Sequence, residues 1–177
     1  MVAFAMATFV AVTGCSSTEE QPMDANLTRE KAQARVIAYL TDSLSLLPPQ
    51  ASLSRRYPTS PTGNFGPGTL VPCTNDAPRP DTPVNYAVNY WVVGVTTDDA
   101  AQQVDALVRG WKERGWDTNV KPRDNNKRSA IGAAPDGYKI TADINKYGDL
   151  SLAGGSPCFP PPPRNEVPDA PETIAHP

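Results

Sequence analysis

The chain has 177 residues, a net charge of -3 and 20% charged residues. This length fits one domain with tails, and the mild charge balance excludes the basic stripe with which proteins bind nucleic acid. Twenty prolines and twelve glycines are grouped in a few stretches, which indicates that the packed part is smaller than the chain.

The chain opens with an apolar stretch at residues 2–12, too short to cross a bilayer as a helix but typical of the core of a signal peptide. It ends in a four-residue motif: Val12, Thr13, Gly14 and Cys15. The motif resembles the lipobox of bacterial lipoproteins, in which the thiol of the cysteine receives diacylglycerol before cleavage. The alternative is a buried helix with a chance cysteine. The polar residues 16–22 disfavour it, because they provide no second apolar face.

The lipobox resemblance implies a signal peptide over residues 1–14, then a lipidated cysteine and a polar tether over residues 15–26. One buried acyl chain holds a protein weakly and two or three hold it firmly, at about 0.8 kcal/mol per methylene. We therefore expect a protein anchored to the extracytoplasmic face of the cell membrane. The first basic residue is Arg29, whereas signal peptides open with basic residues, so we expect the natural start upstream of Met1.

The two remaining cysteines, Cys73 and Cys158, form an even pair in a protein expected to be exported. Their spacing is not CxxC, and the one histidine, His176, lies at the end of the chain, so a metal site or a redox pair is disfavoured. We predict a disulfide, which would remove unfolded-chain entropy worth roughly 4 to 5 kcal/mol.

The predicted domain covers residues 27–158 and begins with a helix at about residues 28–46. The apolar residues of this helix repeat at helical spacing: Ala32, Val36, Leu40, Leu44 and Leu47. Pro48-Pro49 ends the helix. Residues 48–83 are too rich in proline and glycine for a regular element, so we predict a long irregular loop. Its aromatic residues Tyr57 and Phe65 line a groove or, more commonly, plug the edge of the core.

Residues 84–95 alternate between two faces, as in a strand inside a sheet. The valines and tyrosines at even positions form one face, and Trp91 lies on the other. Thr97 and two acids favour the start of a second helix, and Gly115 can end it in the left-handed conformation. A short strand at 116–121 and a polar turn at 122–127 follow.

A meander completes the domain, with extended runs at 128–134, 138–145 and 150–153 separated by two turn sequences. The pattern predicts an α+β fold, a two-layer sandwich in which two helices pack on one face of an antiparallel sheet of four to five strands. A Cys73–Cys158 bond would bring the end of the last strand near the start of the first, consistent with two strands that run antiparallel in one sheet. Residues 159–177 read as an extended, mobile tail rich in proline.

The sequence contains no recognisable catalytic site. A serine nucleophile needs a base within hydrogen-bond reach, and His176 lies in the predicted tail. Five aspartates offer paired carboxylates, but their positions fit a helix start, a turn and an exposed strand face: Asp98, Asp99, Asp105, Asp136 and Asp143. No glycine-rich phosphate loop lies between a strand and a helix, so we expect no catalytic residue, no metal and no cofactor.

Several short motifs accompany the lipobox in order: Leu27-Thr28, Cys73 followed by Thr74-Asn75-Asp76, Arg114-Gly115-Trp116 and Gly155-Ser156-Pro157-Cys158. Together they resemble small cell-envelope lipoproteins of mycobacteria and related actinobacteria. The resemblance covers most of residues 12–158 and implies a two-layer fold in the envelope, but no catalytic residue.

We therefore predict a monomeric, non-enzymatic lipoprotein of the cell envelope that binds a protein, a glycan or a lipid through its sheet and the 48–83 loop. The alternatives are a carrier that encloses an apolar ligand between helices and sheet, and a hydrolase whose site the sequence does not reveal. The carrier is disfavoured because the domain has few apolar residues, and most of them are needed to close the core and cannot line a ligand cavity.

Overall fold

The computed structural model describes residues 23–57, 63–122, 128–163 and 169–177. Within them the chain forms two helices and eight strands, in this order: α1 (Arg29–Leu44), β1 (Ser52–Ser54), β2 (Thr69–Pro72), β3 (Val84–Val93), α2 (Ala100–Glu113), β4 (Asp117–Pro122), β5 (Arg128–Ala133), β6 (Lys139–Ile144), β7 (Leu150–Gly155) and β8 (Thr173–Ile174). The predicted signal peptide, the lipobox and Cys15 lie outside the described residues.

The strands form one antiparallel sheet in the order β4-β5-β6-β7-β3-β1-β8. β3 lies inside the sheet, as its alternation predicts. It pairs with β7 through residues 87–91, while β2 and β1 pair with its first and last residues respectively. β3 and β7 run antiparallel in one sheet, as the cysteine positions suggested, and the structure adds that they are direct neighbours.

Both helices pack on the same face of this sheet. A Cβ added to Gly154 of β7 would lie 2.5 Å from Cγ1 of Val36 in α1, and one added to Gly132 of β5 would lie 2.7 Å from the ring of Trp111 in α2. Gly154 and Gly132 occupy one row of the sheet, because both pair with Ile140. The fold is therefore a two-layer α+β sandwich, as predicted.

Both predicted helices are present, but α1 ends at Leu44, two residues before the predicted end, and α2 begins at Ala100 with Asp99, not Thr97, at its N-cap. Thr28 caps α1, its hydroxyl oxygen accepting a bond from the main-chain N–H of Lys31, and Gly115 follows α2 with a φ of 76°. The predicted apolar face of α1 is buried throughout. Between the helices, the Trp111 indole N–H donates to the Ser43 hydroxyl across 3.0 Å.

The disulfide joins Cys73, just after β2, to Cys158, just after β7. Their Cα atoms are 6.3 Å apart, and 85 positions separate them in the sequence. The predicted pairing is confirmed. The bond fixes the end of β2 and the end of β7 to the same corner of the sheet, beside the start of β3.

The prediction of four to five strands is wrong, because the sheet has eight. Two of the additional strands, β1 and β2, lie within residues 48–83, which the sequence predicted to be irregular. β1 has three residues and β2 has four, and such short segments carry too little alternation to be recognised. Both are strands because β3 offers an edge with which they pair.

The prediction of a disordered tail over 159–177 is wrong for the residues that the structure describes there. Phe159 is 1% exposed and pairs with Val84, and β8 adds a last strand beside β1. Ala170 and Ile174 are buried in the core. The segment is polar and rich in proline, so its order depends on these few tertiary contacts and not on its own periodicity.

Candidate binding surfaces

One end of the sheet carries the disulfide, and we call it the disulfide end. The ends of β2 and β7 and the start of β3 meet there, and the N-terminal side of α1 lies above them. Cys158 is 2% exposed, so the bond is covered on that side. The opposite end carries the turn between β6 and β7, where Gly148 lies against Thr97.

The N-terminal segment joins the fold at the disulfide end. Met23 forms a parallel bridge with Cys158, and the main-chain N–H of Asp24 donates to the Cys158 carbonyl oxygen across 2.8 Å. Residues 23–26, predicted as tether, thus begin the domain. The Met23 side chain is 57% exposed.

A groove of about 530 Å³ opens beside this point. It separates the first residues of α1 from the proline run, and its lining is Leu27, Thr28, Arg29, Glu30, Phe159 and Pro160–Pro163. The Arg29 guanidinium is paired with the Glu30 carboxylate at 2.7 Å. The groove is therefore mostly apolar and carries no uncompensated charge along its helical wall.

A second surface cleft of about 550 Å³ runs along α1 toward the turn after β5. Arg35 and Asp136 form an ion pair there at 3.2 Å, and the Tyr39 hydroxyl accepts from Arg35 and donates to Asp136, each across 2.8 Å. The Arg35 guanidinium also lies 4.4 Å from the centre of the Tyr39 ring. Burial raises the pKa of Tyr39 above its ordinary value. This cluster joins α1 to the β5–β6 turn.

Among the described residues, no helix lies on the other face of the sheet. Its middle row runs across five strands and holds three polar side chains, one small one and one larger apolar one, Ile131: Asn89, Ala153, Thr141, Ile131 and Asn119. Asn89 and Asn119 are exposed, and the three central residues are half-buried. This row, which we call the open row, offers amide and hydroxyl groups on a flat surface.

The 48–83 loop borders the open row on one side. Phe65 stacks on Trp91 with ring centres 4.5 Å apart, and Tyr57 meets the same indole edge-on at 5.4 Å. The Trp91 N–H donates to the Gly63 carbonyl oxygen across 3.0 Å. Both loop aromatics therefore plug an edge of the fold by covering Trp91, which is one of the two roles that the sequence left open.

The residues considered for catalysis do not come together. Asp105 pairs with Arg128, Asp136 with Arg35, and Asp99 accepts from Thr96 at the start of α2. His176 is ordered, contrary to the expectation of a mobile tail, but its two ring nitrogens lie 3.1 and 3.2 Å from the main-chain oxygens of Leu47 and Pro177. The Leu47 contact ties the chain end to the segment that follows α1, and neither contact builds a nucleophile-base pair.

Within the described ranges, no three histidine, cysteine, aspartate or glutamate side chains gather as a metal site would require. Over the same ranges, neither helix has the length and apolar character needed to span a bilayer.

No protein-family model, no curated protein and no solved structure matches this chain.

Of the site residues predicted from the sequence, the structure describes only the disulfide pair, Cys73 and Cys158, and it joins them. Val12, Thr13, Gly14 and Cys15 lie outside the described residues. The sequence pointed to the sheet as a binding surface, but the residues of the open row and of the groove could not be read from local patterns. The groove forms because Phe159 pairs with Val84 and carries the proline run past α1, and the open row forms by strand register.

Proposed function

We propose that this chain is an extracytoplasmic lipoprotein, anchored to the cell membrane through Cys15, and that its domain is a non-enzymatic binding or accessory module of the cell envelope. The observation that carries the proposal is the succession of an apolar leader, the motif Val12-Thr13-Gly14-Cys15 and a polar segment that leads to Met23. A disulfide between Cys73 and Cys158 supports export, since such bonds persist in oxidising compartments.

Replacing the proposed lipid-acceptor residue tests the membrane anchoring of the chain. The Cys15→Ser variant leaves the domain and its disulfide unchanged, but its N-terminal segment cannot receive diacylglycerol. We expect the wild-type chain in the membrane fraction of a lipoprotein-processing bacterium and the variant largely outside that fraction. Equal membrane association of the two proteins, measured by immunoblotting of fractions, would refute lipid anchoring at Cys15.

The open row is the surface on which we place partner binding. It is wide, because five strands contribute to it, and its asparagine and threonine side chains supply both donors and acceptors. A glycan or the main chain of an envelope protein presents matching groups. The aromatic cluster of Tyr57, Phe65 and Trp91 would form one border of the contact.

A bulky charge in the middle of this face tests the assignment. Thr141→Arg places a guanidinium at the centre of the open row, whereas Gln102→Arg places the same group on an exposed position of α2. We expect isolated peptidoglycan or envelope extract to retain the wild-type domain and Gln102→Arg equally, and Thr141→Arg at least tenfold less. Equal retention of the two variants would exclude the open row.

The alternative of an apolar-ligand carrier requires a space between the helix layer and the sheet. Val36 and Trp111 instead lie in van der Waals contact with the backbone of Gly154 and Gly132, so the layers touch at both helices. This packing favours the binding module over the carrier. Mass spectrometry of organic extracts from the purified protein measures the difference, since a carrier would retain stoichiometric lipid.

A further inference from the structure

We propose that the disulfide end of the domain faces the membrane, so that its partner at this end is a lipid surface. The inference rests on the proposed lipidation of Cys15 and deepens it. It follows from the point at which the N-terminal segment joins the fold, from the length of the chain before that point, and from the side chains around it.

The tether is short compared with the domain. Cys15 precedes Met23 by eight positions, which reach roughly 26 to 29 Å when fully extended and about 14 to 17 Å on average as a flexible chain. β3 alone has ten residues and spans about 30 Å. If the opposite end contacted the membrane, Met23 would lie about one strand length from the membrane surface. That distance is close to the fully extended length of the tether.

The disulfide end also offers apolar groups to a lipid surface. Met23 is 57% exposed, and Val71, two positions before Cys73, is 39% exposed. The run Pro160–Pro163 lines the groove at the start of α1. Burying such groups at the headgroup boundary is favourable in proportion to their apolar area.

Two arginines near this end are each paired with a carboxylate. Arg29 is paired with Glu30, and Arg35 with Asp136, so neither guanidinium is left to bind an anionic headgroup without losing its carboxylate partner. Arg79 also lies 3.9 Å from Asp81 in the exposed loop after Cys73. Since these three arginines each have a carboxylate beside them, we expect the contact to depend little on salt or on the fraction of anionic lipid, because screening acts on uncompensated charge. This distinguishes the disulfide end from a polybasic membrane-binding patch.

Two matched probe positions test the orientation. Met23 at the disulfide end is 57% exposed, and Tyr147 in the turn at the opposite end is 52% exposed. Met23→Cys and Tyr147→Cys, each in the full-length lipidated protein with its disulfide intact, would carry the same thiol-reactive fluorophore. The proteins would be reconstituted into phosphatidylcholine vesicles that contain a headgroup-attached nitroxide quencher.

We expect the nitroxide to quench the Met23 probe at least threefold more than the Tyr147 probe, with the same ratio when phosphatidylglycerol replaces a third of the lipid. Equal quenching, or stronger quenching at Tyr147, would overturn the inference. Mass analysis of each sample separates the two proposals. An unmodified Cys15 overturns both, whereas a lipidated Cys15 with equal quenching overturns only the orientation.

A third variant checks the physical cause. A twenty-residue Gly-Ser insertion after Thr18 lengthens the tether severalfold without touching the described domain. The difference between the probes should fall if the short tether limits the approach of the opposite end, and Met23 should remain the more strongly quenched position because of its apolar surroundings. Loss of any preference for Met23 in this variant would contradict the contribution of the apolar groups.

Discussion

Gly154 has no space for a side chain, because α1 lies directly on it. A Cβ there would stand 2.5 Å from Cγ1 of Val36 and 3.3 Å from Cδ1 of Leu40. Real Cβ contacts do not reach the shorter distance, so the helix must shift or the strand must bend. This residue therefore sets the distance between the two layers.

We expect Gly154→Ala to lower the free energy of unfolding by about 1 to 3 kcal/mol, the usual range for overpacking a core. Gly155→Ala is the matched control, since the next position on the same strand meets no atom within 4 Å. Urea denaturation of both variants measures the difference. Equal stability of the two variants would contradict direct contact between α1 and β7.

Three buried tyrosines predict a loss of stability at alkaline pH. Burial raises the pKa of Tyr86, Tyr90 and Tyr138 from the ordinary value of 10.0 to about 12. Above pH 10 the unfolded chain loses these protons while the folded protein keeps them, so the unfolded state binds fewer protons and stability falls as pH rises.

We expect the free energy of unfolding to be insensitive to these groups below pH 10 and to decrease between pH 10 and about pH 12. Denaturation at a series of pH values, with tyrosinate absorbance recorded in parallel, measures both quantities. Tyr90→Phe should flatten the decrease. A stability that rises over this interval would contradict the burial of these hydroxyl groups.

The C-terminal segment is the element about which the sequence was least informative. The structure pairs β8 with β1, buries Ala170 and Ile174, and lets the Tyr90 hydroxyl donate to the Pro171 carbonyl oxygen across 2.8 Å. The chain end therefore closes one edge of the sheet. A disordered tail would contribute nothing of this kind.

Deletion of residues 169–177 should lower the free energy of unfolding by about 2 to 4 kcal/mol, from the lost burial of Ile174 and its neighbours. Removal of Pro177 alone, which is exposed, is the control and should change little. Thermal denaturation compares the two. Identical melting temperatures for the full chain and the long deletion would show that the segment does not pack.

The disulfide stabilises the fold by connecting the ends of two strands, β2 and β7. Replacing Cys73 and Cys158 together by serine removes the cross-link without leaving a free thiol. With 85 positions between them, we expect a loss of about 4 to 5 kcal/mol, largely from the entropy that the cross-link takes from the unfolded chain. An unchanged denaturation midpoint for the double variant would contradict this.

The long elements could be predicted because their periodicity repeats. The apolar face of α1 from Ala32 to Leu44 and the alternation of β3 and β6 each provide several consecutive matches, and the structure confirms all three. β1, β2 and β8 could not be predicted, since two to four residues carry no readable period and the neighbouring strand determines their conformation.

The candidate surfaces were harder to foresee than the elements. The cysteine pair followed from elimination, once Cys15 was assigned to the lipid. The groove depends on Phe159 pairing with Val84, and the open row depends on a register shared by five strands. Neither leaves a pattern in the local sequence, because the residues concerned are brought together only by the folded sheet.

For the molecule as a whole, the proposed lipid anchor and the confirmed disulfide assign different chemistry to the three cysteine sulfur atoms. Cys73 and Cys158 bond to each other inside the domain, and the third cysteine is the proposed site of acyl chains beyond the described residues. A short tether would hold the anchored domain close to the membrane. The open row, which crosses the strands, would then face partners in the adjacent part of the envelope.

The most direct test is the intact mass of the native protein extracted from membranes without reductant. We expect a chain that begins at Cys15, carries the mass of a diacylglyceryl group with or without a further acyl chain, and lacks the two hydrogens lost in the Cys73–Cys158 bond. A mass that corresponds to an unmodified residue 15 would contradict the account.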